Sequence, residues 1–403
     1  MKFLVIAQNL KVSGASEGIV SRSFLAKLRM AYPESVIDVL YLKNHSSEDQ
    51  LDLLPVNSIQ SHVLNLKPPF VTKWLNRISW RLFHISLYDR FVHKLYGSYI
   101  SKIKHEQYDH VFIRSSGLNH ETLLGAKDLP ILKKAIINFH DPYPFFWYQG
   151  SHHELSAVEL FRLKTMYKVV QQAKDCISTA QLMSNDLEFL YGSRKKFHTI
   201  PHQFSASVFD LTDIQKVRPK QKKLTIAYHG SIQFGRKINR LLDAYAVLVT
   251  ENAIIKEETE FVLRLGGGEI NALLDNYKDC GNIVILPTLN FSNSAYEQTQ
   301  IADINIILEN GPLYCNILVG KAPFLASIHK PVFCVSPERS ELRQIIKDPE
   351  LIANGEDLVD VKVKLKALIE KRLVSNDNVD FFGDYFGNEL FKERLNRILN
   401  DFK

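Results

Sequence analysis

The sequence predicts an α/β protein of two domains, because short apolar runs alternate with amphipathic, helix-like stretches in both halves of the chain. The 403 residues exceed what one hydrophobic core usually supports, and a hydrophobic content of 45% lets each half bury a core of its own. A polar, charged segment without apolar periodicity, 209–223, predicts the linker. We therefore expect domains at 1–208 and 224–385, with an amphipathic helix in 386–403. The inward positions predicted for that helix are Leu390, Leu395, Ile398 and Leu399.

Apolar runs in the first half predict strands at 1–7, 109–114 and 135–139. The third run leads directly into His140 and Asp141. Polar residues at the carboxyl end of a parallel strand face the ligand cleft, so we expect both side chains to be exposed there. An aspartate before a proline also fits an ordinary turn, and that alternative stays open for Asp141.

In the second half, the stretch 225–245 reads TIAYHGSIQFGRKINRLLDAY. A strand-like run breaks at Gly230 and Gly235, and Arg236 and Lys237 then precede an amphipathic helix. Glycines allow close backbone approach, a helix N-terminus offers unpaired N–H groups, and cations neutralise phosphate oxygens. This layout is typical of a diphosphate-binding turn, although an ordinary βα turn with solvated basic residues has the same pattern.

Further strands follow in an order typical of a parallel sheet. The run 261–269, FVLRLGGGE, ends in consecutive glycines, and the run 283–287, IVILP, ends at Pro287. The segments 302–308 and 321–335 come next. Because ligands of parallel sheets bind at the carboxyl ends of the strands, these glycines lie where a ligand is expected.

Together these segments resemble the C-terminal half of a GT-B glycosyltransferase, in particular the family 4-like enzymes that build bacterial surface polysaccharides. The matching stretches are YHGSIQFGRKINRLLDAY, FVLRLGGGE, NIVILP with QIADINIIL, and KAPFLASIHKPVFCVSPERSEL, which cover most of 225–345. The resemblance implies two Rossmann-like domains facing an interdomain cleft, with the C-terminal helix crossing back to the first domain. It implies a nucleotide-sugar donor in the second domain, with Arg236 and Lys237 on the diphosphate. The implied donor-binding residues are Gly230, Ser231, Gly267, Gly268, Pro287 and Lys321.

The first half is similar to the acceptor domain of the same enzymes through DHVFIRSSGLNHE, AIINFHDPYPF and FHTIPHQF. In that family a His or Arg next to Asp-Pro faces the transferred sugar. The resemblance therefore implies that His140 positions the donor sugar or carries protons, and that Asp141 is the nearest candidate base. Loops after the first strand usually shape the acceptor site, which here implicates Gly14, Ser16 and Gly18.

One departure from the family pattern concerns donor ribose recognition. Retaining members commonly carry a Glu, seven residues and a second Glu, and counting back from Pro331 puts these positions at Asn316 and Phe324. Neither side chain can act as a carboxylate. Glu309 and Glu338 are nearby acids that could substitute, although a solvated surface position is the expected alternative for each.

The charge of the chain is concentrated in one segment. Between residues 67 and 104 there are eight Lys or Arg and eight aromatic residues against a single acid, Asp89. Apolar residues repeat at helical spacing from Leu75 to Ile85, next to a basic row. This pattern predicts a surface helix attracted to anionic lipid; the alternative is an ordinary domain helix with core aromatics and solvated basic residues. The residues proposed for the membrane patch are Lys73, Trp74, Arg77, Trp80 and Arg81.

Several classes of partner are not expected. No nucleic-acid module is visible, and basic charge alone does not specify one. The four cysteines lack metal-ligand or redox spacing, so we expect reduced thiols and no metal. The first residues lack the apolar length of a signal peptide and no stretch approaches a membrane span, which predicts a cytoplasmic protein, with peripheral attachment to the inner face of the cell membrane if the lipid interpretation holds.

The function that the resemblance implies is transfer of a sugar from a nucleotide-sugar donor to a glycan or lipid-linked glycan acceptor, with no cofactor and a slight preference for retention. The positively charged donor site would replace a metal by neutralising the departing diphosphate. Two alternatives remain open. A nucleotide-sugar epimerase uses the same two-domain fold without an acceptor, and a non-catalytic homologue is consistent with Asn316 and Phe324.

Overall fold

The computed structural model describes residues 1–14, 16–144, 153–192, 194–232, 235–266, 270–311, 313–375 and 377–400. The chain divides into two compact units. Unit 1 comprises Met1–Val208 and Asn388–Lys403, and unit 2 comprises Phe209–Gly387. Gly267 and Gly268 lie outside the described residues.

Unit 1 is built on a seven-stranded parallel sheet. Its strands are β1 (Lys2–Ala7), β2 (Val36–Lys43), β3 (Ser58–Val63), β4 (His110–Arg114), β5 (Ala135–Phe139), β6 (Asp175–Ser178) and β7 (Phe197–Thr199). Its helices before unit 2 are α1 (Ser16–Ala31), α2 (Phe70–Phe83), α3 (Leu87–Ile100), α4 (Glu121–Gly125), α5 (Ala157–Gln172) and α6 (Gln181–Tyr191). The strand order is β3-β2-β1-β4-β5-β6-β7. The central strands are buried along almost their whole length, which explains their uniformly apolar sequences.

Unit 2 contains a six-stranded parallel sheet of order β10-β9-β8-β11-β13-β15 and a small parallel pair, β12 with β14. The strands are β8 (Leu224–Ser231), β9 (Thr259–Gly266), β10 (Ile283–Pro287), β11 (Ile304–Leu308), β12 (Tyr314–Cys315), β13 (Val332–Ser336), β14 (Arg339–Ser340) and β15 (Ile352–Asn354). The helices are α7 (Ile238–Glu251), α8 (Ala253–Glu258), α9 (Ile270–Tyr277), α10 (Phe291–Tyr296), α11 (Ala322–Ser327), α12 (Glu341–Ile345) and α13 (Leu358–Val374). The predicted α/β class with two parallel sheets is confirmed.

The last helix, α14 (Asn388–Asn400), packs against α1 of unit 1. The rings of Phe24 and Phe391 meet edge to face, 5.8 Å between centroids, and the Tyr32 hydroxyl donates to the side chain of Asn396. Phe391, not the expected Leu390, is the first fully buried position of the helix, and Leu390 is half-buried. The buried residues of α14 are Phe391, Leu395, Ile398 and Leu399, which follow the spacing of one helical face.

The segment 209–223 has no regular helix or strand and is attached to unit 2 by ion pairs. Arg218 contacts the Glu260 carboxylate at 2.8 Å, and Lys220 contacts Asp303 at 2.6 Å. Arg218 and Lys220 are therefore held against unit 2 rather than being fully solvated. Across the described ranges, the helices lack the combined length and apolar character that crossing a membrane requires.

Candidate functional site

The turn after β8 requires glycine at two positions. Gly235 has φ +74°, a conformation that L side chains rarely adopt, and a Cβ atom there would lie 3.1 Å from the carbonyl oxygen of Gly311. A Cβ atom on Gly230 would lie 3.2 Å from Nζ of Lys321 and 3.3 Å from the Tyr228 hydroxyl. The missing side chain at Gly230 thus leaves room for the ammonium group of Lys321 at the carboxyl end of β8.

Two cations gather at this end of the sheet. Arg236 donates from Nη1 to the Ser231 carbonyl oxygen at 2.8 Å and from Nε to Oδ1 of Asn310 at 3.1 Å. Lys321 donates to the carbonyl oxygen of His229, and its Nζ lies 4.3 Å from the centroid of the Tyr228 ring. Within the described ranges, no carboxylate is in salt-bridge contact with either side chain.

Lys321 is electrostatically strained as a cation. Two causes lower the pKa of its ammonium group from 10.5 to about 7: the larger is its removal from water, and the smaller is the positive charge of Arg236. An anion placed between the two side chains would restore the charged form of Lys321. The local chemistry therefore suits a phosphate-bearing ligand better than a neutral one.

The remaining donor-side predictions have different surroundings. Lys237 forms a half-exposed ion pair with Glu356 at 2.8 Å, so its charge is already balanced in part. Ser231 is exposed at the end of β8, next to Arg236. Pro287 ends β10, which lies two strands away from β8 in the sheet. Of the predicted donor residues in the described ranges, the structure brings together Gly230, Ser231, Arg236 and Lys321.

The two positions of the missing glutamate pair are both buried. Phe324 lies on α11 with its ring 5.7 Å from that of Phe291, and Asn316 is 2% exposed. Phe324 thus fills apolar space where the family pattern has a carboxylate.

Glu309 and Glu338, the two acids considered as substitutes, differ in exposure. The expectation of a solvated Glu309 is wrong: it is 2% exposed, follows β11, and accepts from the Ser336 hydroxyl and the Leu342 N–H. Burial raises the pKa of Glu309 to about 7. The N-terminal end of α12 encloses this carboxyl, whereas Glu338 is exposed as expected.

In unit 1, the carboxyl ends of β4 and β5 place Arg114 beside His140. Nη2 of Arg114 lies 2.8 Å from Nε2 of His140, and the Arg114 guanidinium stacks 4.1 Å from the Phe24 ring centroid. The Arg114 side chain finds no carboxylate among the described residues, and burial lowers its pKa to about 9. Sequence reasoning did not single out Arg114; the available signal was a cation ending an apolar strand just before Ser115, Ser116 and Gly117.

His140 is at a strand end as predicted, but the expectation that it is exposed is wrong. It is 1% exposed because it packs against Arg114 and the ring of His202, while its backbone bonds to Ser115 and Thr179. Burial is the larger cause, and the positive charge of Arg114 the next, of a pKa of His140 well below its usual value. His140 is therefore a neutral imidazole at pH 7.

Asp141, the neighbouring candidate base, is half-buried. Burial and the negative charge of Glu17 raise its pKa to about 7. Glu17 belongs to the first turn of α1, so the loop after β1 and the end of β5 meet at this edge of the sheet. Gly14 in this loop has φ +85°, and a Cβ atom on Gly18, in the first turn of α1, would overlap the backbone of Lys11. Ser16 is exposed at the start of α1.

Helix α2 carries the residues of the proposed membrane patch, and none of its fourteen residues is buried. Trp74 is 55% exposed and Trp80 is 42% exposed. The alternative that these aromatics belong to the core is therefore wrong. Other apolar residues exposed on α2 are Phe70, Val71, Leu75, Ile78, Leu82 and Phe83.

Helix α2 is nevertheless held to the start of α3 and to the preceding loop by hydrogen bonds. Oδ1 of Asn76 accepts the backbone N–H groups of Leu87 and Tyr88 at the start of α3, and the Ser79 hydroxyl donates to the Ile85 carbonyl oxygen. In the ranges that the structure describes, no group of three or more His, Cys, Asp or Glu is arranged to hold a metal ion.

No protein-family model matches the sequence, and the search of curated proteins finds no significant match. Solved structures do match over the whole chain. An α,α-trehalose 6-phosphate synthase from Burkholderia multivorans superimposes with a TM-score of 0.61 and 10% identity, covering 99% of this chain and 98% of that one. A UDP-GlcNAc 2-epimerase from Neisseria meningitidis, bound to UDP-GlcNAc, superimposes with a TM-score of 0.60 and 13% identity. This match covers 98% of this chain and 99% of that one.

A third match is an E. coli trehalose-6-phosphate protein bound with UDP-2-fluoro glucose. It has a TM-score of 0.60 and 10% identity and covers 100% of this chain and 98% of that one. At such identities the likeness establishes architecture alone. The chain has the GT-B fold, as the sequence resemblance implied.

Proposed function

We propose that this GT-B protein is a nucleotide-sugar-dependent glycosyltransferase of the family 4-like type that builds bacterial surface polysaccharides. The observation that carries the proposal is the pair of cations, Arg236 and Lys321, at the glycine turn of unit 2 with no carboxylate contact within the described ranges. Structures of the same fold bind UDP-2-fluoro glucose and UDP-GlcNAc, which supports a nucleotide sugar as the anion.

The proposed chemistry is mainly electrostatic. Negative charge grows on the nucleoside diphosphate as the bond to the sugar breaks, so cations fixed beforehand around it lower the barrier. Arg236 is held in place by Ser231 and Asn310, and Lys321 by His229 and Tyr228, so little reorganisation accompanies the reaction. Lys237 contributes a third positive charge that is partly balanced by Glu356.

On the acceptor side, we assign His140 a positioning role and Asp141 the role of candidate base. A neutral His140 held by Arg114 can hydrogen-bond a sugar but does not carry a proton at pH 7. Asp141, with its pKa raised to about 7, has the basicity expected of a general base near neutral pH. Asp141 has this role if the transfer inverts the sugar; we slightly favour retention, in which the departing diphosphate itself assists the acceptor hydroxyl.

We further propose that the acceptor is glycan or lipid-linked glycan at an anionic membrane surface, which α2 contacts. Exposed tryptophans and phenylalanines on α2 accompany Lys73, Arg77 and Arg81, and no acid lies on this helix. A helix of this kind binds anionic lipid through apolar insertion and charge attraction. The proposed location is the cytoplasmic side of the membrane.

Thermal shift against a panel of nucleoside diphosphates and nucleotide sugars tests the donor site. A ligand that binds only the folded state at 100 times its Kd stabilises it by about 2.7 kcal/mol. We expect one nucleotide class to raise the Tm, and Arg236→Ala to abolish that rise. Arg240→Ala, an exposed arginine on α7, is the matched control and should keep it.

The alternatives give different results. An epimerase would convert the nucleotide sugar without any acceptor, and the product would be an epimerised sugar nucleotide. A non-catalytic homologue, which Phe324 and Asn316 suggest, would give no shift with any member of the panel. Either result would overturn the proposed transfer reaction.

A further inference from the structure

A cavity of about 600 Å³ lies in unit 1 among α3, α4 and α5. Ser98 of α3 and Ser101, which follows α3, lie on one side, and Phe161 and Thr165 of α5 lie on another. The cavity does not include Arg114 or His140. Its size is within the roughly 300–1,000 Å³ typical of small-molecule sites.

The wall of this cavity is strongly basic. Four cations, Arg90, Lys94, Lys127 and Arg162, line it against one carboxylate, Asp89. Arg162 neutralises Asp89 through two contacts, Nε to Oδ2 at 2.6 Å and Nη2 to Oδ1 at 3.2 Å. The cavity therefore keeps excess positive charge and favours an anion.

The cations of the cavity differ in whether a carboxylate already pairs with them. Lys127 pairs with Asp128 at 2.8 Å, outside the lining. No carboxylate in the described ranges forms a salt bridge with Arg90 or Lys94, and both are exposed at the rim. Burial lowers the pKa of His93 to about 4, so this lining residue is neutral at pH 7. Arg90 and Lys94 are thus the cations available to an incoming anion.

Apolar surface adjoins this charge. Leu124, Leu129, Phe161 and Tyr143 line the cavity, and the Arg90 guanidinium carbon lies 5.8 Å from the centroid of the Phe161 ring. A purely ionic ligand would leave these groups uncovered. An anion that carries a hydrocarbon chain would satisfy both kinds of wall.

The position of the cavity connects two features already described. Its α3 wall is joined to the exposed helix α2 through Asn76, which accepts the N–H groups of Leu87 and Tyr88. At its other side lies Tyr143, two residues beyond Asp141, with its ring 5.1 Å from that of His120. A ligand in the cavity would therefore lie between the exposed helix α2 and the loop of the candidate base.

We propose that this cavity binds a lipid phosphate, with the phosphate on Arg90 and Lys94 and the first part of the chain against Phe161, Leu124 and Tyr143. If the proposed function holds, this amphiphile is the lipid carrier of the acceptor glycan. Binding itself requires no donor and is measurable without turnover.

Titration calorimetry on the full chain tests the proposal with three probes: farnesyl phosphate below its micelle concentration, farnesol and inorganic phosphate. Farnesyl phosphate should bind at least tenfold more tightly than either other probe. Arg90→Gln with Lys94→Gln should weaken that binding at least tenfold. Lys102→Gln with Lys104→Gln removes the same charge from exposed residues outside the lining and should leave binding unchanged.

Ser98→Trp fills the cavity without changing its charge and should also abolish binding of farnesyl phosphate, whereas Ser98→Ala should retain it. The proposal is overturned if inorganic phosphate binds as tightly as farnesyl phosphate, or if the Arg90/Lys94 variant binds like the wild-type chain. Circular dichroism of each variant checks that the fold is kept.

The two proposals fail separately. A nucleotide thermal shift that depends on Arg236, without farnesyl phosphate binding, would leave the donor site standing and remove the lipid site. Farnesyl phosphate binding without any nucleotide shift would do the reverse, because the two assays use different ligands and different residues.

Discussion

Nη2 of Arg114 lies 2.8 Å from Nε2 of His140, and both side chains are buried. A guanidinium can only donate, so Nε2 of His140 is the acceptor and the ring proton is on Nδ1. The contact joins the ends of neighbouring strands β4 and β5, which pair in parallel. It fixes both the tautomer and the orientation of the imidazole.

We predict that His140 stays neutral through the pH range in which an ordinary histidine becomes protonated, because burial and Arg114 both disfavour its protonated form. Nitrogen-15 NMR of the labelled imidazole would show the Nδ1–H tautomer throughout this range. Arg114→Met should raise the pKa of His140 and release the tautomer. A protonated His140 at pH 6 in the wild-type chain would contradict this arrangement.

We predict that Lys321 takes up a proton when a nucleoside diphosphate binds. Its pKa of about 7 leaves it mostly neutral at pH 8, and the negative charge of a diphosphate should raise that pKa and recharge it. Calorimetry at pH 8 in buffers of different ionisation enthalpy should detect close to one proton taken up. The Lys321→Met variant should bind the nucleoside diphosphate more weakly, and its proton uptake should be near zero. If proton uptake is unchanged in this variant, the proton is taken up by another group.

We predict that deprotonation of Asp141 lowers the free energy of unfolding of the protein as pH rises from about 3.8 to 7. Its folded-state pKa is raised above the unfolded value, so the folded chain binds more protons in this interval. Asp141→Asn should therefore flatten the pH dependence of the unfolding free energy and raise that free energy at pH 8. Urea unfolding at pH 4.5 and pH 8 measures both effects, and a variant less stable than wild type at pH 8 would refute the assignment.

Gly97 and Gly125 allow α3 and α4 to touch. A Cβ atom on Gly97 would lie 2.6 Å from the Gly125 carbonyl oxygen, which is backbone and cannot rotate away. Gly97→Ala should cost about 1–3 kcal/mol of unfolding free energy, despite the better helix propensity of alanine. Gly281→Ala, where nothing lies within 4 Å of the added atom, is the control and should stay within about 0.5 kcal/mol of wild type.

Helix α2 predicts salt-sensitive binding to anionic vesicles. Replacing Arg77 and Arg81 by Gln and Trp80 by Ala should lower co-sedimentation tenfold or more, since each basic residue near such a surface contributes about 1 kcal/mol. Lys347→Gln with Lys392→Gln removes the same number of charges from exposed positions elsewhere and should have little effect. Unchanged co-sedimentation of the α2 variant would exclude this helix as the contact.

Residue pattern alone predicted the interior strands well. The run AIINF is bounded by Lys134 and His140, and β5 covers just those apolar residues, because a strand covered on both faces needs an unbroken apolar run. Strand β3 is different: Ser58–Val63 is an edge strand with mixed polarity and exposed positions, so its sequence carries no comparable signal.

The candidate site was predictable only in part. Arg236 and Lys321 belong to recognisable segments, but their approach to the same strand end depends on β8 and β11 being neighbours, which spacing along the chain does not encode. The exposure of His140 was misjudged for a similar reason, because His202 from the end of β7 covers it. Phe391, rather than the predicted Leu390, is buried because its ring packs against Phe24 of α1.

The return of α14 to unit 1 has a consequence for biosynthesis. Unit 1 is discontinuous in the sequence, so a ribosome completes all of unit 2 before the helix that covers Phe24 and Tyr32 emerges. At typical elongation rates the roughly 180 intervening residues take on the order of ten to forty seconds. During that interval α14 has not yet covered the aromatic surface around Phe24 and Tyr32, so unit 1 is completed only after unit 2 has been made.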